Sequence, residues 1–103
     1  MNDSLRPAAG ARFLLELEQA SADGTKAEYK VAIYTPDATF EGRASLVDDG
    51  SATVEAQGAS EDHLAMLVML AKLTARSAPK KREDGLPPWP QRVLRWRGPG
   101  RGE

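Results

Sequence analysis

The sequence predicts an α+β domain of two layers, in which a four-stranded antiparallel meander is followed by one packed helix (ββββα). Two observations predict this fold class. Four segments alternate apolar and polar residues, and the turns that join them are too short for the crossovers that parallel strands need. One longer segment then repeats its apolar residues at helical spacing. Beyond the helix, the chain continues as an extension rich in proline, tryptophan and arginine.

Each of the four predicted strands has one apolar face and is followed by a turn. The strands are predicted over residues 12–19, 28–35, 38–47 and 51–57. The side chains predicted to face the core are Phe13, Leu15, Leu17, Tyr29, Val31, Ile33, Phe40, Gly42, Ala44, Leu46, Ala52, Val54 and Ala56. Turns are expected at Asp23-Gly24, Pro36-Asp37 and Asp49-Gly50, because these residue types suit tight turns. The fourth strand has mostly alanine on its inward face, so we expect it at an edge of the sheet.

The helix is predicted to begin after the N-cap Ser60 and to run from Glu61 to about Ser77, ending before Pro79. Its apolar residues span roughly 200° of its circumference, well beyond the ~100° stripe of a one-sided surface helix. One face of the sheet covers about half of that arc, so we expect either a second subunit or the C-terminal segment to cover the rest. The uncovered face comprises Met66, Met69, Leu70 and Leu73.

Length and composition limit the class of protein. The 103 residues are expected to form one domain at 11–78, with an N-terminal tail at 1–10, an extension at 79–97 and a final tail at 98–103. Both tails are expected to be disordered. The absence of cysteine excludes disulfides, thiolate metal sites and cysteine nucleophiles. Because we find neither a signal-peptide pattern nor an apolar run of ~20 residues, we expect a cytoplasmic protein without integral membrane association.

The net charge of −1 conceals an uneven distribution along the chain. Residues 1–71 carry five basic and twelve acidic side chains, a net of −7, whereas residues 72–103 carry nine basic and three acidic ones, a net of +6. Much of the negative charge is predicted to lie on the outward face of the sheet. Any site for a polyanion is therefore expected on the C-terminal segment and not on the sheet.

The extension contains both tryptophans of the protein, Trp89 and Trp96. Pro90 can open a short helix, which would place Trp89, Val93 and Trp96 on one face. Three interpretations are open at this point. The aromatic side chains could dock on the uncovered helix face and complete the core, or the arginines could contact a nucleic acid. Alternatively, the segment could bind a protein groove or a membrane surface.

No residue is predicted to be catalytic or to bind a cofactor or a metal. His63 is the only histidine, and no cysteine or carboxylate stands at a ligand spacing from it. Asp48-Asp49 precedes Gly50 and is interpreted as a hairpin turn, since the segment lacks the oxygen-ligand spacing of a calcium loop. The outward glutamates Glu16, Glu18, Glu41 and Glu55 are interpreted as a solvated face with cross-strand ion pairs. An enzyme is not expected.

The order of four strands followed by a helix, over residues 12–77, is similar to that of the Whirly-like and positive-cofactor-4-like single-stranded DNA-binding domains. The similarity is one of element order and includes no shared motif. Sheets that bind single-stranded nucleic acids expose aromatic side chains in a positive field. This sheet is predicted to be acidic, and Tyr34 is the one aromatic residue predicted on its outward face. The resemblance therefore implies a fold and does not transfer the activity.

We therefore expect a small non-catalytic binding or adaptor module that contacts an acidic protein or a nucleic acid through its C-terminal segment. The residues predicted to bind the partner are Lys80, Lys81, Arg82, Trp89, Arg92, Arg95, Trp96 and Arg97. The alternative is a structural homodimer formed through Met66, Met69, Leu70 and Leu73, in which the tryptophan segment only completes the core.

Overall fold

The computed structural model describes residues 6–98, which form one five-stranded antiparallel sheet and one helix. The strands are β1 (Ala11–Ala20), β2 (Lys26–Tyr34), β3 (Thr39–Val47), β4 (Ala52–Ala56) and β5 (Arg92–Arg97), and the helix is α1 (Glu61–Glu83). The order across the sheet is β4-β3-β2-β1-β5. The predicted α+β class and antiparallel sheet are confirmed, but the C-terminal extension adds a fifth strand, so the order is ββββαβ. The parts of the predicted tails at 1–5 and 99–103 lie outside the described residues.

The alternation predicted for the first four strands matches their registers. Leu15 lies opposite Val31 across β1 and β2, and Val31 lies opposite Gly42 across β2 and β3. Such cross-strand neighbours share one face of a sheet, and Tyr29 and Ile33 on the same face are fully buried. Glycine is required at position 42, because a Cβ there would collide with the backbone of β4. The apolar side chains therefore collect on the face beneath α1.

The helix α1 continues to Glu83, and the prediction that it ends before Pro79 is wrong. A proline inside a helix removes one backbone hydrogen bond, but here the turn that follows is capped. The Leu86 N–H donates to the Lys81 carbonyl, and Gly85 adopts a φ of 77°. This is the Schellman arrangement of a helix C-terminus. Basic residues in the last turn also favour this end of a helix.

The short helix predicted from Pro90 is wrong as well, because this segment forms β5 along the free edge of β1. The Leu17 N–H donates to the Gln91 carbonyl over 2.9 Å, and Val93 lies opposite Leu15. A helix of about two turns is marginal on its own, whereas a strand pairs its backbone with β1 and buries Val93. Pairing with β1 therefore decides the conformation of this segment.

The helix α1 packs on the sheet mainly over β4 and β3. The ridge that touches the sheet consists of Leu67, Ala71, Ala75 and Ala78, all fully buried. Since alanine is small, this ridge lets the helix approach the sheet closely. The core therefore lies between α1 and one face of the sheet.

The described part of the predicted N-terminal tail crosses the other face of the sheet. The Arg6 Nε donates to the Thr39 hydroxyl over 3.3 Å, and the Ala9 carbonyl accepts from the Trp96 indole over 2.9 Å. Thr39 and Trp96 lie on β3 and β5 in the same cross-strand row as Tyr34. The segment thus passes over this row, which explains why Tyr34 is only 1% exposed on a face that α1 does not cover.

Within residues 6–98, no helix has both the length and the apolar character required to cross a membrane.

Candidate interaction surface

The start of the C-terminal segment is anchored to the body of the protein. The Trp89 side chain is 4% exposed, and its indole Nε1–H donates to the Gly24 carbonyl over 2.9 Å. The Tyr29 hydroxyl donates to the Pro90 carbonyl over 2.8 Å. A tyrosine hydroxyl is protonated at neutral pH, and burial raises the pKa of Tyr29 well above its ordinary range, which extends this hydrogen bond to more alkaline pH. These two hydrogen bonds therefore fix Trp89 and Pro90 to the body of the protein just before β5 begins.

Arg82 joins the end of α1 to two turns of the sheet. Its Nη1 donates to the Gly24 carbonyl over 2.9 Å, in the turn between β1 and β2. Its Nη2 donates to the Asp48 carboxylate over 2.7 Å, in the turn between β3 and β4. Both arms of the guanidinium are thus used within the chain, which gives Arg82 a structural role.

The turn that receives these donors is itself well held. The Asp23 carboxylate accepts hydrogen bonds from the hydroxyls of Thr25 and Ser21, each over 2.7 Å. The Thr25 hydroxyl is the largest of the contributions that lower the pKa of Asp23 to about 2. Gly24 has a φ of 76°, a conformation that favours glycine. The Gly24 carbonyl is therefore held in place for its two donors.

An open channel runs between α1 and β5, and we call it the α1–β5 groove. Its apolar lining includes Phe13, Met66, Met69, Leu70, Leu73 and Val93, with Trp96 at its border, and its basic rim consists of Lys81, Arg92, Arg95 and Arg97. Two adjoining hollows of about 220 and about 300 Å³ make up the groove, at or below the lower end of small-molecule pockets. Met69 and Leu73 are each 48% exposed. The size and apolar character suit side chains of a protein partner better than a cofactor.

The basic rim sets the electrostatic character of the α1–β5 groove. Arg95 and Arg97 belong to the same face of β5 as Val93, and Lys81 lies near the C-terminal end of α1. In the part of the chain that the structure describes, no acidic residue lines either hollow. The Arg95 Nη1 also donates to the Leu94 carbonyl over 2.9 Å, which holds its guanidinium at the edge of the sheet. An apolar floor within a basic rim is complementary to an acidic partner.

The other predicted partner residues lie at the border of the groove or outside it. Lys80 is exposed and pairs with Asp84 over 3.5 Å along α1. Arg92 lies opposite Glu16 at the start of β5 and also lines the end of the groove near Lys81. Trp96 belongs to the outer face of the sheet, is 56% exposed, and borders the groove. Of the predicted set, four basic residues therefore line the groove, namely Lys81, Arg92, Arg95 and Arg97, whereas Arg82 and Trp89 anchor the segment, Lys80 pairs along α1 and Trp96 borders the groove from the opposite face.

The outer face of the sheet carries a separate hollow of mixed charge. Tyr34 lines it together with Glu16, Glu41, Lys30 and Arg43. Burial, followed by the nearby carboxylates of Glu41 and Glu16, raises the pKa of Tyr34. No group of three or more histidine, aspartate or glutamate side chains that could hold a metal occurs in the described part of the chain. The alternating charges give this face no field of a single sign.

His63 lies at the N-terminal end of α1 and packs against the core. Its ring meets that of Phe13 edge to face, with the ring centroids 6.0 Å apart. Its backbone N–H donates to the Ser60 hydroxyl over 3.2 Å, so the predicted N-cap is confirmed. These contacts give His63 a place in the packing of the helix start.

The sequence indicated one wall of the groove and missed the other. The uncovered face of α1 was predicted, but the arginines were assigned to a short helix instead of a strand opposite it. One signal for the strand is present in the sequence, because Val93 and Trp96 favour strands and stand among the arginines of this segment. Such a pattern is typical of an edge strand protected from aggregation.

No protein-family model, curated protein or solved structure matches this chain. The interpretation of the groove therefore depends on its own geometry and charge.

Proposed function

We propose that the chain is a non-catalytic binding module that holds an acidic protein partner in the α1–β5 groove, and that it acts in the cytoplasm. One observation carries the proposal. Met69 and Leu73 are half exposed beside Arg95 and Arg97, and no acidic residue of the described chain lines the hollows between them. Burial of the apolar side chains gives affinity, and the arginines select the sign of the partner's charge.

A protein partner fits this surface better than a nucleic acid does. Nucleic-acid sites combine phosphate contacts with aromatic platforms on which bases stack. The centre of this surface is instead the aliphatic side chains of Met69, Leu70 and Leu73, which give a phosphate backbone nothing to bind. Of the two tryptophans, Trp89 is buried and unavailable for stacking, and Trp96 is exposed at the border of the groove but belongs to the opposite face of β5, where its indole donates to the Ala9 carbonyl. The outer face of the sheet, where Lys30 and Arg43 alternate with Glu16 and Glu41, offers no positive field to a polyanion either.

A structural homodimer is the second candidate, and the half-exposed Met69 and Leu73 favour it. A two-fold symmetric interface places the same patch of each subunit against its copy. In this case the two basic rims, each with Arg95 and Arg97, would face one another without acidic residues between them. Such like-charge contact opposes association, so an acidic partner is the better-supported occupant.

A labelled acidic peptide tests the proposal directly. The probe is a peptide of about 18 residues that contains glutamate, leucine and alanine in shuffled order, and the comparison ligand is an oligothymidylate of equal length. We expect the peptide to bind more tightly in fluorescence anisotropy, with an affinity that falls as NaCl rises from about 0.05 to about 0.3 M. The double variant Arg95→Glu/Arg97→Glu should bind it about tenfold more weakly.

The matched control reverses two charges away from the groove. Lys26 and Lys72 are exposed and line none of the described hollows, so Lys26→Glu/Lys72→Glu should change the affinity less than about threefold. Tighter binding of the oligothymidylate would favour a nucleic-acid module. Equal loss in both double variants would contradict a specific role for the groove. Twice the monomer mass in light scattering, lost in Leu73→Asp, would favour the homodimer.

A further inference from the structure

We propose that the occupant of the α1–β5 groove is an amphipathic α-helix with acidic flanks, which lies beside α1 on the same face of the sheet. This inference rests on the proposed function and specifies the secondary structure of the partner. It follows from the width of the sheet, the length and lining of the groove, and the state of the free edge of β5.

The width of the sheet leaves room for a second helix. Five strands spaced about 4.8 Å apart span about 19 Å between the outer strand axes, whereas one helix with its side chains is about 10 Å wide. Because α1 packs mainly over β4 and β3, the opposite border of the sheet has no helix above it in the described chain.

The length of the groove also corresponds to a helix. A further hollow shares Phe13, Met66 and Arg97 with the groove and extends it to Asp62 and His63, so that acidic flanks of the partner fit the part between Arg97 and Lys81. The distance along α1 from His63 to Lys81 is about 27 Å, at 1.5 Å per residue. A partner helix of about 18 residues fills this length.

The two walls specify the two sides of the partner helix. The wall on α1 is apolar from Met66 to Leu73, where it accepts a stripe of leucine or similar residues, and it becomes polar toward Lys81, where Thr74 and Ser77 line it. The wall on β5 carries Arg95 and Arg97, and it accepts acidic residues that flank this stripe. An amphipathic helix presents both features at once, since its apolar and charged residues lie on adjacent sides.

The free edge of β5 is less suited to an added strand. In an antiparallel ladder every second residue directs its backbone groups away from the partner strand. The Gln91 carbonyl, directly before β5, points toward β1, where it accepts from the Leu17 N–H. Because successive residues alternate, the Leu94 carbonyl points away from β1, toward the free edge. That carbonyl already accepts a hydrogen bond from the Arg95 guanidinium over 2.9 Å. An added strand would have to displace this contact, whereas a helix in the groove leaves it intact.

Two peptides of identical composition test the inference. One is the shuffled acidic peptide described above, and the other places the same glutamate, leucine and alanine residues so that the leucines form one helical stripe. With the full-length chain, the ordered peptide should bind about tenfold more tightly than the shuffled one. Its circular dichroism, after subtraction of the free components, should show a gain of helix on binding.

The double variant Met69→Ala/Leu73→Ala supplies the control. Both side chains are half exposed, so the variant is expected to keep its fold, which its thermal unfolding curve checks. It should reduce the preference for the ordered peptide to about twofold or less. Equal affinity for both peptides without a gain of helix would overturn the inference and leave the proposed function intact. Binding of neither peptide would overturn both.

Discussion

The two sides of α1 have opposite relations to the sheet. On one side, Leu67, Ala71 and Ala75 are fully buried against the sheet. On the other side, Met69 and Leu73 face the channel beside β5 and are half exposed. Both sides are apolar, so composition alone does not distinguish them. The difference shows that the first side stabilises the fold, whereas the second is available to a partner.

The largest expected effect is on the free energy of unfolding, when a leucine is replaced by alanine on each of the two sides of α1. Leu67→Ala removes a fully buried side chain, and we expect the free energy of unfolding to fall by about 2–5 kcal/mol. Leu73→Ala removes a side chain that is 48% exposed, and we expect a fall of less than about 1 kcal/mol. Urea unfolding followed by circular dichroism measures both values. Equal losses would show that the open side is covered in solution.

The next effect concerns the end of α1, where Arg82 and Lys80 lie two residues apart. We expect Arg82→Met to lower the free energy of unfolding by about 1–2 kcal/mol, because it removes the hydrogen bonds to Gly24 and Asp48. The lower part of the range for charged hydrogen bonds applies, since the Arg82 side chain is 39% exposed and screened by solvent.

Lys80→Met is the matched control for this substitution. Its ion pair with Asp84 is an exposed pair along the helix, for which we expect less than about 0.5 kcal/mol. The two variants are compared by urea unfolding under identical salt. A loss in Lys80→Met as large as that in Arg82→Met would contradict a special role for the contacts with the two turns.

The sequence was sufficient where structure depends on near neighbours along the chain. The inward row of Tyr29, Val31 and Ile33 was predicted correctly, because alternation is a local property of a strand. The helix end was missed because the cost of Pro79 is local, whereas Arg82 gains contacts with turns that are distant in sequence.

The strand β5 was missed for a related reason. Its pairing depends on an open edge of β1, which no pattern within residues 90–97 reveals. The apolar wall of the groove could be predicted from the excess of leucine and methionine on α1. The basic wall could not, because a helix and a strand place Arg95 and Arg97 on different surfaces.

The smallest expected effect is a change with pH in the contribution of the buried Tyr29 to the free energy of unfolding. Burial holds the pKa of Tyr29 above its ordinary value of about 10. A raised pKa in the folded state adds stability that is fully present below the unfolded pKa and is lost as the pH rises through the folded value. Between pH of about 8 and about 11, the wild type should therefore lose more stability than Tyr29→Phe.

The substitution itself removes the hydrogen bond to the Pro90 carbonyl, so Tyr29→Phe should start about 1 kcal/mol lower at pH of about 8. The other ionisable groups are the same in both proteins, and their contribution cancels in the difference between the two urea midpoints. Narrowing of that difference with rising pH indicates that ionisation of Tyr29 opposes the fold and loosens the attachment of the C-terminal segment. Parallel curves would show that Tyr29 does not couple to folding in this pH range. The anchor of β5 would then depend on the hydrogen bonds that the Trp89 indole and the Arg82 guanidinium donate to the Gly24 carbonyl.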